Sequence, residues 1–256
     1  MEKEQIQTAN FQENKPAIVT IGDELLLGEQ SNGNQTWMAT VLAESGFPAH
    51  LAISLPDKIQ VIGQWISRLR KAEYHPIFVS GGIGGTHDDC TRDGIAAGLN
   101  VSLSPHKECH QILSDKYGSK FSQQRQRMAF LPENCSLIPN PIGAPGFYLD
   151  GVYAFPGFPS MLKPMLRSML PSIFRNTKVQ PFILKEVVLP LAESDVAAEI
   201  ETFVKEHPET KIGIYPSDEN LGKELTIRMR MRTSDSSPAL SQLFDELIKT
   251  LSDKCS

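Results

Sequence analysis

Residues 80–91, Ser-Gly-Gly-Ile-Gly-Gly-Thr-His-Asp-Asp-Cys-Thr, combine four glycines with two adjacent carboxylates. Glycine lets the backbone approach a ligand closely with its N–H groups exposed. The segment follows an apolar run and precedes a predicted helix, so its amides could bind an anion at the positive end of the helix dipole. The sequence therefore predicts a loop that binds a phosphate group.

Two common nucleotide-binding motifs do not match this loop. No Gly-Lys-Ser/Thr follows it, as a Walker A loop requires, and His87 stands at the third-glycine position of GxGxxG. A purely structural interpretation makes Thr86 a helix N-cap and gives one of the two acids a first-turn position. We interpret Asp88 and Asp89 as functional, because two carboxylates beside a phosphate need a bridging cation or orient ligand hydroxyls.

A second acidic pair, Asp23 and Glu24, follows the β-branched run at residues 16–21. Because the carboxyl ends of parallel strands meet at one edge of a sheet, this pair could face the same crevice as the glycine-rich loop. The alternative is simple solvation of a surface loop.

Hydrophobic periodicity places both loops between alternating strands and helices. Strands are predicted at 16–21, 51–55, 75–80 and 152–155. Four helices are predicted. The first contains Trp37, Met38, Val41 and Leu42 and ends near Gly46, and the second begins after an Asp57 N-cap and turns Ile59, Ile62, Trp65, Ile66 and Leu69 inward. The third spans 88–99 with an interruption near Gly98, and the fourth spans 160–170. This order predicts a largely parallel sheet covered on both faces.

From residue 181 the pattern changes to strand 182–189, helix 194–206, strands 211–215 and 224–231, and helix 238–251, which predicts a small α+β domain. Arg228, Arg230 and Arg232 alternate with methionines, which indicates one solvated and one buried strand face. RNA binding by this part is the alternative, but no GxxG loop follows residue 181.

The composition excludes several classes of protein. The 256 residues carry 25 Lys and Arg against 30 Asp and Glu, a net charge of -5, so no general attraction to nucleic-acid phosphates is expected. The polar start lacks a secretory or transit signal, and no run approaches the roughly 18 apolar residues of a membrane span. We expect a cytoplasmic protein that binds neither nucleic acid nor a membrane.

The cysteine and histidine residues do not predict a metal or redox motif. His106 and His110 would share a helix face, but the glutamate of HExxH is missing, so we interpret 106–110 as an exposed polar turn. The cysteines lie far apart with no CxxC pair: Cys90, Cys109, Cys135 and Cys255.

A series of motifs resembles the competence/damage-inducible protein A (CinA) family. In chain order they are Ile21-Gly-Asp-Glu-Leu25, Gly28 with Asn34, the glycine-rich run through Thr91, Arg127-Met-Ala, Leu131-Pro, Asn140 with Gly143-Ala-Pro-Gly-Phe147, and Phe155-Pro-Gly-Phe-Pro159 before Lys163-Pro-Met. The resemblance extends from about Ala17 to Leu251.

The resemblance implies a three-layer α/β/α molybdopterin-binding fold of the MoaB/Mog type with a mostly parallel sheet, followed by a small α+β KH-like domain. The implied divisions are a disordered tail at 1–15, the molybdopterin-binding-like domain at 16–175 and the KH-like domain at 176–256. A homodimer is also implied. Several family members carry an additional nicotinamide-mononucleotide amidase domain, for which this chain has no room, so amidase activity is not expected.

The implied activity is metal-dependent hydrolysis of ADP-ribose or a similar nucleoside diphosphate sugar, with Mg²⁺, Mn²⁺ or Co²⁺. Asp88 and Asp89 would be the metal-bound or reacting end, and Asp23 and Glu24 would be further catalytic residues. The implied phosphate- and substrate-binding residues are Gly81, Gly82, Gly84, Thr86, Thr91, Asn34, Asn140, Gly143, Ala144, Pro145, Gly146, Pro156, Gly157 and Pro159. The alternative is a protein that binds molybdopterin or transfers adenylyl groups to it without hydrolysis, and the loop alone does not separate the two.

Two positions depart from the family pattern. Gly85 stands where the family usually has proline, and Asn32 stands where it usually has aspartate. A freer loop and one fewer carboxylate are the expected consequences.

Overall fold

The computed structural model describes residues 14–175, 182–208, 210–218, 224–232 and 237–252. They belong to two compact units, one within Met1–Thr177 and one within Lys178–Ser256. The predicted N-terminal tail lies outside the described residues up to position 13, and Lys15 exchanges two backbone hydrogen bonds with His75.

The elements of the first unit are, in chain order, β1 (Ala17–Ile21), α1 (Asp23–Leu26), α2 (Gly33–Glu44), β2 (Leu51–Leu55), α3 (Ile59–Lys71), β3 (Ile77–Ser80), α4 (Thr91–Leu99), β4 (Leu103–Pro105), α5 (Lys107–Tyr117), α6 (Gln123–Gln126), β5 (Phe130–Pro132), β6 (Ser136–Ile138), β7 (Gly146–Leu149), β8 (Val152–Phe155) and α7 (Pro159–Ile173). Single 3-10 turns lie at Gly118–Lys120 and Arg127–Ala129. The predicted strands are confirmed, whereas β4 to β7, α5 and α6 had no clear signal in the sequence.

The main sheet has the strand order β2-β1-β3-β8-β7-β6. Strands β2, β1, β3 and β8 are parallel, and β7 is antiparallel to both of its neighbours. The register pairs Ile21 with Leu55, and Ser80 with both Thr20 and Phe155. The loops that follow these four strands therefore leave one edge of the sheet at the same level.

Two apolar clusters cover the two faces of this sheet. One packs α3, α4 and α5 against the side chains of Val19, Val79 and Ala154. The other packs α2 and α7 against Ile18, Phe78 and Tyr153. Adjacent residues of each strand thus enter opposite clusters, as the alternation of a β-strand requires. The predicted three-layer α/β/α architecture with a mostly parallel sheet is confirmed.

Three local predictions about helix ends were wrong. Helix α4 begins at Thr91 rather than Asp88, and its N-cap is Cys90, so neither Thr86 nor the acid pair belongs to its first turn. It also continues through Gly98 to Leu99. Helix α3 is preceded by Lys58, and Asp57 does not cap it.

The segment 106–110 is a helix start and not the predicted exposed turn. The His106 imidazole accepts a hydrogen bond from the Cys109 amide at 3.2 Å and caps α5, and the Cys109 side chain is buried. Burial raises the pKa of the Cys109 thiol to about 11, which is typical of an inert core cysteine.

The second unit contains β9 (Phe182–Leu189), α8 (Glu193–Glu206), β10 (Thr210–Pro216), β11 (Leu225–Arg232) and α9 (Ser237–Ser252). Its antiparallel sheet has the order β10-β11-β9 and packs one face on both helices. Met229 is buried while Arg228 and Arg230 are half-exposed, as predicted; the side chains of Met231 and Arg232 lie outside the described residues. The predicted small α+β unit is confirmed.

None of the helices within the described ranges combines the length and apolar character needed to cross a bilayer.

Glycines allow α3 and α4 to pack closely in the first unit. A Cβ at Gly98 would lie 2.7 Å from the Gly63 carbonyl oxygen and 2.8 Å from the Ile66 Cβ. The first of these atoms is backbone and cannot rotate away, so Gly98 serves helix packing and does not interrupt the helix.

We predict that Gly98→Ala lowers the melting temperature of the first unit, although alanine is the better helix former. Overpacking of this kind costs about 1–3 kcal/mol, which corresponds to a loss of several degrees in thermal unfolding followed by circular dichroism. Gly33→Ala is the matched control, since a Cβ at that helical position meets nothing within 4 Å. Equal melting temperatures for Gly98→Ala and the wild type would contradict the packing role.

Candidate functional site

The glycine-rich loop, residues 81–90, leaves β3 in a backbone conformation that favours glycine. Gly81 and Gly82 have φ values of 107° and 65°, and a Cβ at Gly81 would clash with the Ile21 carbonyl oxygen. The Gly81 amide donates to the Phe155 carbonyl at 3.2 Å, and the Gly82 carbonyl accepts from the Thr91 amide at 3.0 Å. The loop is therefore fixed between the ends of β1 and β8 and the start of α4.

Asp89 organises the middle of this loop. Its Oδ1 accepts from the Gly84 amide at 2.9 Å, and its Oδ2 accepts from the Thr86 amide at 2.8 Å and from the Thr86 hydroxyl. The backbone of the loop does bind an anion in this way, but that anion is the chain's own carboxylate. Asp89 is thus a residue that shapes the site, and the amides of Gly84 and Thr86 are already occupied.

The start of α4 offers a different polar position beside the loop. The Thr91 side chain is fully buried, and its hydroxyl has no hydrogen-bond partner within the described part of the chain. It lies so close to Gly82 that a Cβ there would clash with it. The Thr91 hydroxyl is therefore a buried polar group behind Gly82, with no recorded hydrogen-bond partner in the described part of the chain.

Asp57 is a site residue that the sequence-based interpretation assigned to helix capping. Its Oδ2 accepts from the Asp23 amide at 3.0 Å, and its own amide donates to Asp23 Oδ1 at 3.3 Å. Its Oδ1 would lie 3.3 Å from a Cβ at Gly82. A signal was present in the sequence, because Asp57 follows β2 just as Asp23 follows β1.

The carboxylates around Asp57 repel one another. Burial raises the pKa of Asp57 above its ordinary value, and the charges of Asp23, Glu24 and Asp88 raise it further, against the lowering effect of the Asp23 amide. Every charged side chain that shifts this pKa is another carboxylate. The structure therefore places Asp57 within the electrostatic influence of Asp23, Glu24 and Asp88, whereas the Asp89 carboxylate is bonded within the loop.

Asp88 is the exposed acid of the loop. The Thr86 hydroxyl, followed by the neighbouring amide groups, holds the pKa of Asp88 below its ordinary value. Its side chain is 63% exposed, and its Oδ1 lies 3.8 Å from Nδ1 of the exposed His87 imidazole. Asp88 is therefore an ionised and accessible carboxylate beside the crevice.

Asn34 connects three elements at the same edge of the sheet. From the first turn of α2, its Nδ2 donates to the Gly157 carbonyl at 2.6 Å and to the Ser80 hydroxyl at 3.1 Å. A Cβ at Gly157 would lie 3.4 Å from the Gly81 Cα, so the loop after β8 packs directly on the glycine-rich loop. Pro156 and Gly157, which the family resemblance predicted as substrate-binding residues, belong to this loop, and Pro159, predicted in the same way, is the first residue of α7.

The segment 140–146 is built for close packing. Asn140 closes it by donating to the Ala144 carbonyl at 2.8 Å and accepting from the Ile142 amide at 3.1 Å. A Cβ at Gly143 would lie 2.6 Å from Met161 Sδ, in the first turns of α7. Pro145 and Gly146 are buried. This segment therefore packs against α7 through Met161 and against β8 through the Ala154 carbonyl.

Gly85 is confined, contrary to the expected freer loop. A Cβ at this position would clash with the Gln124 carbonyl oxygen, so α6 presses on the loop where the family usually has proline.

Asn32 does not line the crevice. Its Oδ1 accepts from the Gln35 amide at 3.1 Å and caps α2, while its Nδ2 donates to the hydroxyls of Thr20 at 2.7 Å and Ser54 at 3.0 Å. Asn32 therefore caps α2. The replacement of the usual aspartate by asparagine at this position does not remove a carboxylate from the acidic cluster.

No group of three or more His, Cys, Asp or Glu side chains within the described ranges is placed to hold a metal ion by itself. Mg²⁺ is usually bound by one or two carboxylates together with waters and substrate phosphates, so the donor set here fits a cation that is shared with a bound phosphate.

Comparison with known proteins identifies the family. The sequence pattern of a family described as "probable molybdopterin binding domain" matches residues 17–175. The chain belongs to this family. A CinA-like protein from Frankia casuarinae is 34% identical over 197 residues, which cover 70% of this chain and 45% of that protein. A protein from Metallosphaera sedula is 33% identical over 216 residues, 81% of this chain and 80% of that protein.

Among solved structures, the protein CinA from Thermoplasma acidophilum, described as having unknown function, aligns with a TM-score of 0.58 at 30% identity. The alignment covers 62% of this chain and 98% of that one. These similarities confirm that the chain is a CinA-like member of the molybdopterin-binding domain family.

The acidic cluster predicts a stabilising substitution. A raised pKa in the folded state means that the wild type loses stability as the pH rises from the ordinary value of 3.8 through the raised one. We predict that Asp57→Asn, which keeps an oxygen for the Asp23 amide, raises the melting temperature at pH 7.5 by about 1–3 °C, and that this gain disappears near pH 3.

Asp115→Asn is the control, because Asp115 is exposed on α5, where its carboxylate bonds to Gln111, and should give no such gain. A lower melting temperature for Asp57→Asn at pH 7.5, or a gain that persists at pH 3, would show that the cluster is not repulsive.

Proposed function

We propose that this CinA-like protein is a metal-dependent pyrophosphatase that acts on ADP-ribose or a similar nucleoside diphosphate sugar. The observation that carries the proposal is the position of Asp57: a half-buried carboxylate, surrounded by other carboxylates, next to the glycine-rich loop. Carboxylates alone would repel a phosphate at this position. Binding of the phosphate becomes favourable when a divalent cation bridges it to the carboxylates.

The residues divide into two groups by role. The glycine backbone at Gly82, with the buried Thr91 hydroxyl behind it, would lie against the pyrophosphate, while Asp89 maintains the loop around it. Asp57 and Asp88 are the candidates to hold the cation, with Asp23 and Glu24 adding negative charge. Such a cation would neutralise the negative charge that develops on the phosphate, and it would make a water bound to it more acidic.

One oxygen of Asp57 remains for the cation. Its Oδ2 is occupied by the Asp23 amide, whereas its Oδ1 faces Gly82. The water oxygen bonds to one phosphorus atom, the bridging P–O bond breaks, and ADP-ribose plus water gives AMP and ribose 5-phosphate.

We predict that the purified protein releases AMP and ribose 5-phosphate from ADP-ribose with Mg²⁺, Mn²⁺ or Co²⁺, as measured by mass spectrometry. Asp88→Asn removes the exposed ionised carboxylate and should reduce the rate by on the order of 100-fold or more. Asp115→Asn, an exposed acid on α5, should keep the wild-type rate. Absence of turnover with all three metals would reject the pyrophosphatase.

A second candidate function is binding of molybdopterin, or adenylyl transfer to it, by the same loop. The family match over residues 17–175 favours this candidate, since the family is described by that ligand. Isothermal titration separates the two, because a dedicated pterin protein should retain molybdopterin and leave ADP-ribose intact.

A further inference from the structure

We propose that Phe158 is a stacking platform for the planar heteroaromatic ring of the ligand, a nucleobase or a pterin, whose phosphate binds the glycine-rich loop. The inference deepens the proposed function and depends on it only for the position of the phosphate. The Phe158 side chain would select ring-bearing phosphates over sugar phosphates.

Phe158 is a large aromatic side chain that the fold leaves in solvent. It is 69% exposed, although full burial of a phenylalanine is worth about 1.5–3 kcal/mol. A single exposed apolar residue is ordinary on a protein surface. The exposure of Phe158 becomes informative because of the backbone that carries it and because of where it lies.

The backbone of Phe158 is held on both sides. Its carbonyl accepts from the amides of Met161 at 3.0 Å and Leu162 at 2.9 Å and thereby starts α7. The preceding residue, Gly157, is bound through its carbonyl by Asn34 Nδ2 at 2.6 Å. The backbone that carries the ring is therefore fixed beside the glycine-rich loop.

The ring begins close to the phosphate-binding position. A Cβ at Gly157 would lie 3.4 Å from the Gly81 Cα, and consecutive Cα atoms are about 3.8 Å apart. Phe158 thus starts one residue beyond a direct contact with the glycine-rich loop. A nucleotide or pterin whose phosphate lies on that loop would carry its ring to the neighbourhood of Phe158.

The strand order separates the polar and apolar parts of the crevice. Asp23 and Asp57 follow β1 and β2, whereas Phe158 follows β8, on the other side of β3. On the β8 side, Ile142 is another exposed apolar residue, 51% exposed, in the segment that packs on Met161. The phosphates and cation would occupy the carboxylate side, and the ring would occupy the Phe158 side.

Stacking on a phenyl ring is tolerant of base identity, because every base has a π-face. The proposal therefore predicts a site that distinguishes ring-bearing phosphates from phosphates without a ring, and that discriminates weakly among bases. No described residue needs to read the edge of the base for this selectivity.

The test compares ligands with and without a ring, using the full chain. AMP, a pterin that carries one phosphate, and ribose 5-phosphate are titrated by calorimetry into the wild type, Phe158→Ala and Phe158→Trp. Leu184→Ala is the control, since Leu184 is a 51% exposed apolar residue of the second unit.

The expected result is a loss of about 5- to 100-fold in affinity for the ring-bearing ligand in Phe158→Ala, the range that stacking energies of about 1–3 kcal/mol imply. Affinity for ribose 5-phosphate should be unchanged. Phe158→Trp should restore binding, and its additional fluorescence should be quenched by the ring-bearing ligand but not by ribose 5-phosphate. Leu184→Ala should match the wild type.

Equal losses for all three ligands in Phe158→Ala would overturn the proposal, since they would indicate a structural effect on the loop. Unchanged affinity for AMP and for the pterin would also overturn it, as would a wild type that binds neither. The measurement needs no turnover. Ring-specific loss without any hydrolysis of ADP-ribose would therefore leave the stacking role intact and reject only the pyrophosphatase.

Discussion

The whole site depends on the close approach of backbones at Gly81. There the chain leaves β3 so near the Ile21 carbonyl and the loop at Gly157 that no side chain fits. This contact is possible because the parallel register brings Thr20, Ser80 and Phe155 to one level of the sheet, with Ile21 one residue beyond. It joins the acids that follow β1 and β2 to the glycines after β3 and to the wall after β8. A side chain at position 81 would separate these three groups.

The repulsion among the carboxylates of the site lowers the stability of the fold. A cluster of carboxylates that raises the pKa of Asp57 is unfavourable for the fold, and the chain retains it where a ligand would benefit. The buried Thr91 hydroxyl, which has no hydrogen-bond partner among the described residues, has the same character. Proteins commonly concentrate such unfavourable interactions at functional positions. Asp57 and Thr91 therefore indicate a functional site more strongly than the glycines do.

The sequence predicted the parts of the molecule that follow hydrophobic periodicity. The parallel strands, the helices on both faces and the α+β arrangement of the second unit were all found from that pattern. The strands β4, β5 and β6 were missed because each has only three residues, too few for an alternation to show. The start of α4 was misplaced because Asp89 bonds within the loop, an interaction that has the same sequence pattern as a helix cap.

The position of Asp57 could be predicted only in part. Its place after β2 was visible, but a residue before a helix is ordinarily assigned to the cap, and the reciprocal bonds with Asp23 depend on the register of β1 and β2. The confinement of Gly85 by Gln124 also joins residues that are far apart in sequence. Both features arise from tertiary contacts that local patterns do not contain.

The internal carboxylate of the loop has a consequence for the rate of ligand capture. Since Asp89 already gathers the amides of Gly84 and Thr86, the loop has its shape before any substrate arrives, and binding need not wait for a disordered segment to fold. The entropic cost of ordering this turn is met during folding of the chain. For the proposed phosphate ligand, association would then be opposed by repulsion from the acids, which would make it sensitive to ionic strength.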